Sequence, residues 1–284
     1  MKMKNSILVA LFIAISLLAS VPMASAQVSE GDDVARIEQD ITKFYQQYLS
    51  DRTSLQGLDS LAKSFLTDGM YDRLHRAGSF VDCDILIRAQ DGSEMASRTV
   101  SCRHLDGEWY EASWKFLWSD SMTYVPLRVI RDKSSNKVKI CYVVPEWGGR
   151  EFGDDLLKFP SVRVKDDVDA LTFVKTFYES YVGLYVTMPS SLSEDLEKMR
   201  REYCTQEVLR MFGQARKEMA VDAVFGYDQL IGNTDFDVFK SRSLRFQQQD
   251  AHTIMVCYDH VQVVVSVQKQ KGKYRLTKVV CKNV

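Results

Sequence analysis

Two pairs of carboxylates stand where chemistry could be done. Asp84 and Asp91 close the stretch Asp84-Ile85-Leu86-Ile87-Arg88-Ala89-Gln90-Asp91. Asp228 and Asp235 close Asp228-Gln229-Leu230-Ile231-Gly232-Asn233-Thr234-Asp235, with Leu-Ile at the same interior places. Two carboxylates at the mouth of a cavity could act as acid and base or hold a hard cation. The competing role is local: an Asp side chain accepts backbone N–H bonds and fixes a loop. A calcium loop needs closely spaced oxygen ligands, and Leu-Ile fills the middle here, so the residues favour the loop-forming role. A second candidate is the stripe Tyr110, Trp114, Phe116 and Trp118. It could line a pocket for a small apolar or sugar ligand, or serve as core beneath a helix. His75, His104, His252 and His260 are scattered. No Ser sits in a Gly-x-Ser-x-Gly turn, and neither a phosphate-binding glycine loop nor a zinc-ligand spacing occurs. No catalytic residue, metal ligand or cofactor is therefore assigned.

The elements that must position these residues recur in the same order. Asp32-Asp33 can cap a helix with the apolar face Val34, Ile37, Ile41, Phe44 and Tyr48. Asp166-Asp167 precedes Ala170, Val174, Phe177 and Tyr181, which match the last four of those positions at one constant offset. Ser64-Phe65-Leu66-Thr67 then matches Glu202-Tyr203-Cys204-Thr205, and each Thr can cap a short helix. After the Asp-bounded stretch the pattern turns to strands. Arg98 to His104 is read as the first, with a turn at Asp106-Gly107. Tyr110 to Trp118 then alternates as a half-buried strand. Tyr124 to Ile130 and Val138 to Val144 are joined by Lys133-Ser134-Ser135-Asn136. The second series reads Leu244 to Gln249, Thr253 to Val267 and Tyr274 to Val280, with a turn at Lys269-Gln270-Lys271-Gly272. Helices followed by an antiparallel meander predict an α+β fold in two tandem copies.

The first residues have the layout of a cleaved secretory signal peptide: a short positive start, the apolar run Ile7 to Leu18, and Ala24-Ser25-Ala26. The organisation expected is a signal peptide over 1–26, a first domain over 27–146, a linker over 147–165 and a second domain over 166–284. The mature protein is expected to be periplasmic or secreted, with no membrane span after cleavage. A formal charge of −1 without a basic block argues against nucleic acid. Six cysteines in an oxidising compartment invite disulfides, but they fall at non-equivalent places, so no framework is shared by both copies. Cys257 and Cys281, on neighbouring predicted strands, would face opposite sides, with Cys281 opposite about residue 260 for a tight turn. Buried free thiols are the simpler reading.

The paired aromatics Phe44-Tyr45 with Tyr48, the capped short helix, the Asp84…Gln90-Asp91 stretch and the terminal hairpin resemble the bacterial domain of unknown function 3828 family. The second copy keeps Tyr227 before Asp228 but has Thr234 where the first has Gln90. The resemblance implies a nuclear transport factor 2-like (cystatin-like) fold in each copy, with a long helix and a short helix packed on a curved antiparallel sheet. It also implies an exported envelope protein without a settled activity. The function expected is a non-enzymatic binding or interaction protein with a protein partner in the cell envelope. Its rivals are a small-ligand carrier or enzyme using the cone-shaped cavity that such a fold would give the first domain, and a periplasmic immunity-like protein that binds a toxin. Ligand contacts, if any, are expected among Asp84, Gln90, Asp91, Tyr110, Trp114, Trp118, Tyr227, Asp228 and Asp235.

Overall fold

The computed structural model describes residues 30–50, 53–78, 83–132, 134–165, 167–218 and 227–283. The expected signal peptide, Lys133 and Asp166 lie outside them. Ile37–Val284 cluster as one unit, apart from the residues before them.

Helices pack on two separate four-stranded antiparallel sheets, an α+β arrangement. The N-terminal half contains α1 (Glu30–Tyr48), α2 (Leu55–Phe65), α3 (Asp68–Gly78) and α4 (Glu94–Thr99). Its sheet runs β1 (Ser101–Asp106), β2 (Trp109–Lys115), β3 (Met122–Arg131) and β4 (Val138–Val143), in that spatial order. The C-terminal half repeats the sequence with α5 (Ala170–Thr187), α6 (Leu192–Tyr203), α7 (Gln206–Glu218) and α8 (Val238–Arg242). There β5 (Arg245–Gln248), β6 (Thr253–Tyr258), β7 (Val261–Gln270) and β8 (Lys273–Asn283) form the second meander.

The match extends to individual backbone bonds. Thr67 caps α3 by accepting the Met70 N–H at 3.3 Å, and its own N–H donates to the Ile140 carbonyl at 3.0 Å. Thr205 stands in the same place on α7, with its Oγ 3.5 Å from the Val208 N–H and its own N–H donating to Leu276 at 2.9 Å. Each cap thus ties a short helix to the last strand. That strand is bulged at the tie. Cys141 is the extra residue between the pairs Arg128–Tyr142 and Val129–Ile140, and Thr277 is the extra one between Ser266–Lys278 and Val267–Leu276. Both side chains turn to the carbonyl across the bulge, Cys141 to Arg128 at 3.5 Å and Thr277 to Ser266 at 3.2 Å.

The long helices bury most of the residues that periodicity assigns to the core, while Val34 and Ile37 near the start of α1 are half-buried. Ile41, Phe44, Tyr45 and Tyr48 are buried in α1 and Leu49 just after it, as are Val174, Phe177, Tyr178 and Tyr181 in α5. α1 already begins at Glu30, so Asp32 and Asp33 lie within its first turn, where acids favour the positive helix end. Asp169 caps α5, accepting the Thr172 N–H at 2.8 Å.

Four further expectations need correction. Arg98 belongs to the short helix α4, which starts because Ser93 accepts the Ala96 N–H at 3.1 Å, and the first strand begins only at Ser101. The strand read over Tyr110 to Trp118 ends at Lys115 and is buried on both faces at Trp109 to Ala112, because the segment after β4 folds across its outer side. There Trp109 donates to Asp154 at 2.9 Å, and Glu111 receives Arg150. Thr253 to Val267 is two strands, reversed at Asp259-His260, where Asp259 adopts a left-handed φ of 44°. No disulfide joins the six cysteines, as the simpler reading expects, but only Cys204 is fully buried. Cys257 and Cys281 are separated by β7, and the bulge sets Cys281 opposite Val263.

If Cys141 and Thr277 play one role, Cys141→Thr should leave stability unchanged to within about 0.5 kcal/mol. Thr277→Val, which keeps the branched shape but loses the donor, should cost about 1 kcal/mol. Urea unfolding of each variant checks both.

Candidate functional site

The first carboxylate of each pair is built into the loop it opens. Asp84 accepts the Leu86 N–H at 2.7 Å on one oxygen and the Tyr48 hydroxyl at 2.7 Å on the other. Asp228 accepts the Leu230 N–H at 2.9 Å, and its other oxygen accepts the hydroxyls of Tyr181 and Tyr185 at 2.6 and 2.7 Å. Tyr48 and Tyr181 are the residues related by the constant helix offset. Each loop closes on itself through a backbone bond, Asp84 N–H to Ala89 and Asp228 N–H to Asn233, both 2.8 Å. The turn requires a left-handed residue, supplied by Arg88 (φ 56°) and Gly232 (φ 56°). A Cβ on Gly232 would meet Val261 at 2.7 Å, whereas Arg88 uses its side chain to reach the Val144, Pro145 and Gly149 carbonyls at 3.0, 3.3 and 2.8 Å.

The two anchors differ in charge balance. Arg200 donates to Asp228 at 2.7 Å, and although burial lowers its pKa, the adjacent Asp228 outweighs that and holds it above its usual value. At the corresponding place in the N-terminal half stands Ala62. Burial therefore dominates at Asp84 and raises its pKa, against the lowering bonds from Tyr48 and the loop amides.

The second carboxylates have diverged further. Asp91 and Gln90 are exposed. Asp235 is buried and joins the two halves: its Oδ2 receives Arg73 Nε of α3 at 2.8 Å, and Arg76 lies 3.7 Å from Oδ1. Asp237 completes the cluster. It accepts the Trp147 indole N–H at 3.0 Å, caps α8 through the Lys240 N–H at 2.9 Å, and lies 3.8 Å from Arg73. Lys240 Nζ donates to the Asp235 carbonyl at 3.1 Å and stands 4.9 Å over the Trp147 ring. Burial would lower the Arg73 pKa, but its surroundings, Asp235 foremost, raise it, so the guanidinium stays charged. Sequence patterning does not single out Arg73, Arg76, Asp237 or Lys240. They lie on segments distant in the chain, and a charged residue there reads as solvent-facing.

The aromatic stripe is divided between the core and the surface. Tyr110 and Trp114 are buried, and Trp114 stacks on Tyr45 with centroids 5.0 Å apart. Trp118 is beyond the strand, 64% exposed, and stacks on Phe116 at 4.5 Å. Tyr227 is half-buried beside Cys281; burial and then that thiol raise its pKa. Thus Asp84 and Asp228 form two equivalent loop anchors, Asp235 belongs to the ion cluster, and the structure does not gather the nine residues at one site.

Two grooves occupy equivalent positions beside the capped helices and bulged hairpins. The first, about 420 Å³, lies between Thr67, Gly69, Arg128, Lys139 and Cys141, and is walled by Thr187, Met188 and Ser190 after α5. The second, about 820 Å³, lies between Thr205, Glu207, Ser266, Arg275 and Thr277. Both fall in the size range of ligand-binding clefts, and both are open to solvent on one side.

Removing one partner of a buried pair leaves the other charge stranded, so Asp235→Asn should cost about 3 kcal/mol while Asp91→Asn changes stability by less than about 0.5 kcal/mol. Asp91 is therefore not expected to share the stability role of Asp235, because it is exposed. Asp228→Asn strands Arg200 and should cost about 3 kcal/mol; Asp84→Asn keeps an acceptor for Leu86 and should cost less than about 1 kcal/mol. The raised Asp84 pKa makes the folded state hold its proton to higher pH than the unfolded one. Its contribution should favour folding below the ordinary carboxylate range and be lost as pH rises through the raised value. Asp84→Asn should flatten that slope in urea titrations run at a series of acidic pH values.

No family model matches the chain, and no curated protein matches it. A solved structure of a protein of unknown function from Bacteroides thetaiotaomicron is similar at 30% sequence identity, covering 40% of this chain and 95% of that chain, with a TM-score of 0.35. The chain is thus similar over part of its length to a bacterial protein of unknown function.

Proposed function

We propose that this chain is an exported, non-enzymatic binding or protein-interaction module made of two nuclear transport factor 2-like units. The observation that carries the reading is the commitment of the repeated carboxylates. In both halves the Asp that opens the loop uses one oxygen for a backbone amide and the other for a tyrosine of the long helix. A general acid or base needs an oxygen within reach of substrate, and these oxygens already serve the loop. The long helix lying over a four-stranded meander in each half supports the nuclear transport factor 2-like assignment. The positive, apolar and small-residue order of the first residues supports export.

Native mass spectrometry of the protein recovered from periplasm tests this. The expected species begins at Gln27 and carries no stoichiometric small molecule. A small organic molecule retained one-to-one, with turnover of a related compound, would overturn the reading in favour of the carrier or enzyme alternative.

A further inference from the structure

The two equivalent grooves differ in what walls them and in their charge. In the N-terminal half the wall is polypeptide: the turn Thr187 to Ser190 that ends α5. Met188 carries a left-handed φ of 44°, and its carbonyl oxygen lies 3.4 Å from where a Cβ on Gly69 would stand. The carbonyl-rich end of one helix thus meets the first turn of another, where backbone N–H groups lack intrahelical partners. Lys139 there is consumed by the structure, donating to the Lys63 and Leu66 carbonyls at 3.3 and 3.1 Å. Among the residues lining this groove, Asp68 and Asp132 balance Arg128 and Lys139.

In the C-terminal half the same groove is larger and has no wall from another half among its lining residues. Its charges have shifted. Gln206 and Gln270 stand where the first groove has Asp68 and Asp132, and Arg201, Arg275 and Lys278 face a single lining acid, Glu207. Arg275 occupies the place of Lys139; among the described residues its hydrogen bond is a long one, 3.4 Å, to its neighbour's carbonyl. Arg201 is shared with Glu197 at 2.9 Å. The long helix of the N-terminal half has no counterpart of this wall. α1 ends at Tyr48, the counterpart of Tyr181, whereas α5 runs on to Thr187.

Building on the interaction reading above, we propose that the groove between α7 and the β7–β8 hairpin docks an acidic polypeptide segment of a partner protein. The segment takes the place that the α5 end holds in the first groove. Its carboxylates face Arg275 and Lys278, and its backbone carbonyls face the first turn of α7. Charge complementarity in a polar cleft gives selectivity and a salt-sensitive association.

Panning a displayed library of random short peptides against the full mature chain tests this. Sequences rich in Asp and Glu should be enriched. Their synthetic forms should bind more weakly, by about ten-fold or more, to Arg275→Glu/Lys278→Glu and as well as before to the exposed control Lys198→Glu. Should the double reversal fail to fold, Arg275→Gln/Lys278→Gln serves with the same expected direction. Enrichment of peptides without acids, equal binding to the groove variant, or no enrichment would overturn the proposal. Equal binding to the variant would place the contact elsewhere and leave the interaction reading standing. A tightly held small molecule in the native mass spectrum would instead remove that reading itself.

Discussion

A carboxylate taken out of water must find donors, and this constraint shapes both halves of the molecule. At Asp84 and Asp228 the donors are a loop amide two residues on and a hydroxyl of the long helix. The bond fixes the loop's turn, and the loop in turn delivers the apolar pairs Leu86-Ile87 and Leu230-Ile231 to the core, where all four are buried. The short capped helix and the bulged last strand then close around the same core through the Thr67 and Thr205 amides. In each half a carboxylate thus fixes the loop to the long helix, and a cap amide fixes the short helix to the hairpin.

Around that shared plan the halves have taken different parts. The N-terminal anchor has Tyr48 and no cation in the place of Arg200, so its carboxylate resists ionisation; the C-terminal anchor has Arg200 and two tyrosines. The closing carboxylate is exposed in one half and is the centre of the Arg73 cluster in the other. The segment after β4 makes this asymmetry workable. Gly148 lies so close to the Phe239 ring that an added Cβ would stand only 2.5 Å from it, and Arg150 clamps Glu111 from outside the sheet at 2.6 Å. The equivalent groove is walled by the end of α5 in one half and lined only by its own half in the other.

Much of this architecture was legible in the sequence. The constant offset from Ile41 to Tyr48 located the second long helix, and Thr67 with Thr205 located the caps, because helical periodicity and capping are local signals. The loop-forming role of the repeated Asp followed from the Leu-Ile between the carboxylates. What escaped was set by contacts far apart in the chain. Glu111 alternates with core residues and reads as solvent-facing until Arg150 is folded over it. Asp91 and Asp235 hold equivalent places, yet only one meets Arg73. The reversal at Asp259-His260 lacks Gly and Pro, so Thr253 to Val267 reads as one strand. Neither groove could be read from the sequence, since each is made where a helix start meets a distant hairpin.

The central claim is that the repeated carboxylates hold their loops closed. Residue-resolved amide exchange at Leu86 and Leu230 tests it most directly, since each N–H donates to the Asp two residues before it. The account predicts that both exchange slowly, near the rate of the surrounding core, and that both are released together with their loops under mild denaturant. Exchange at the rate of an open, solvated loop in the native protein would contradict it and return Asp84 and Asp228 to the groups available for chemistry.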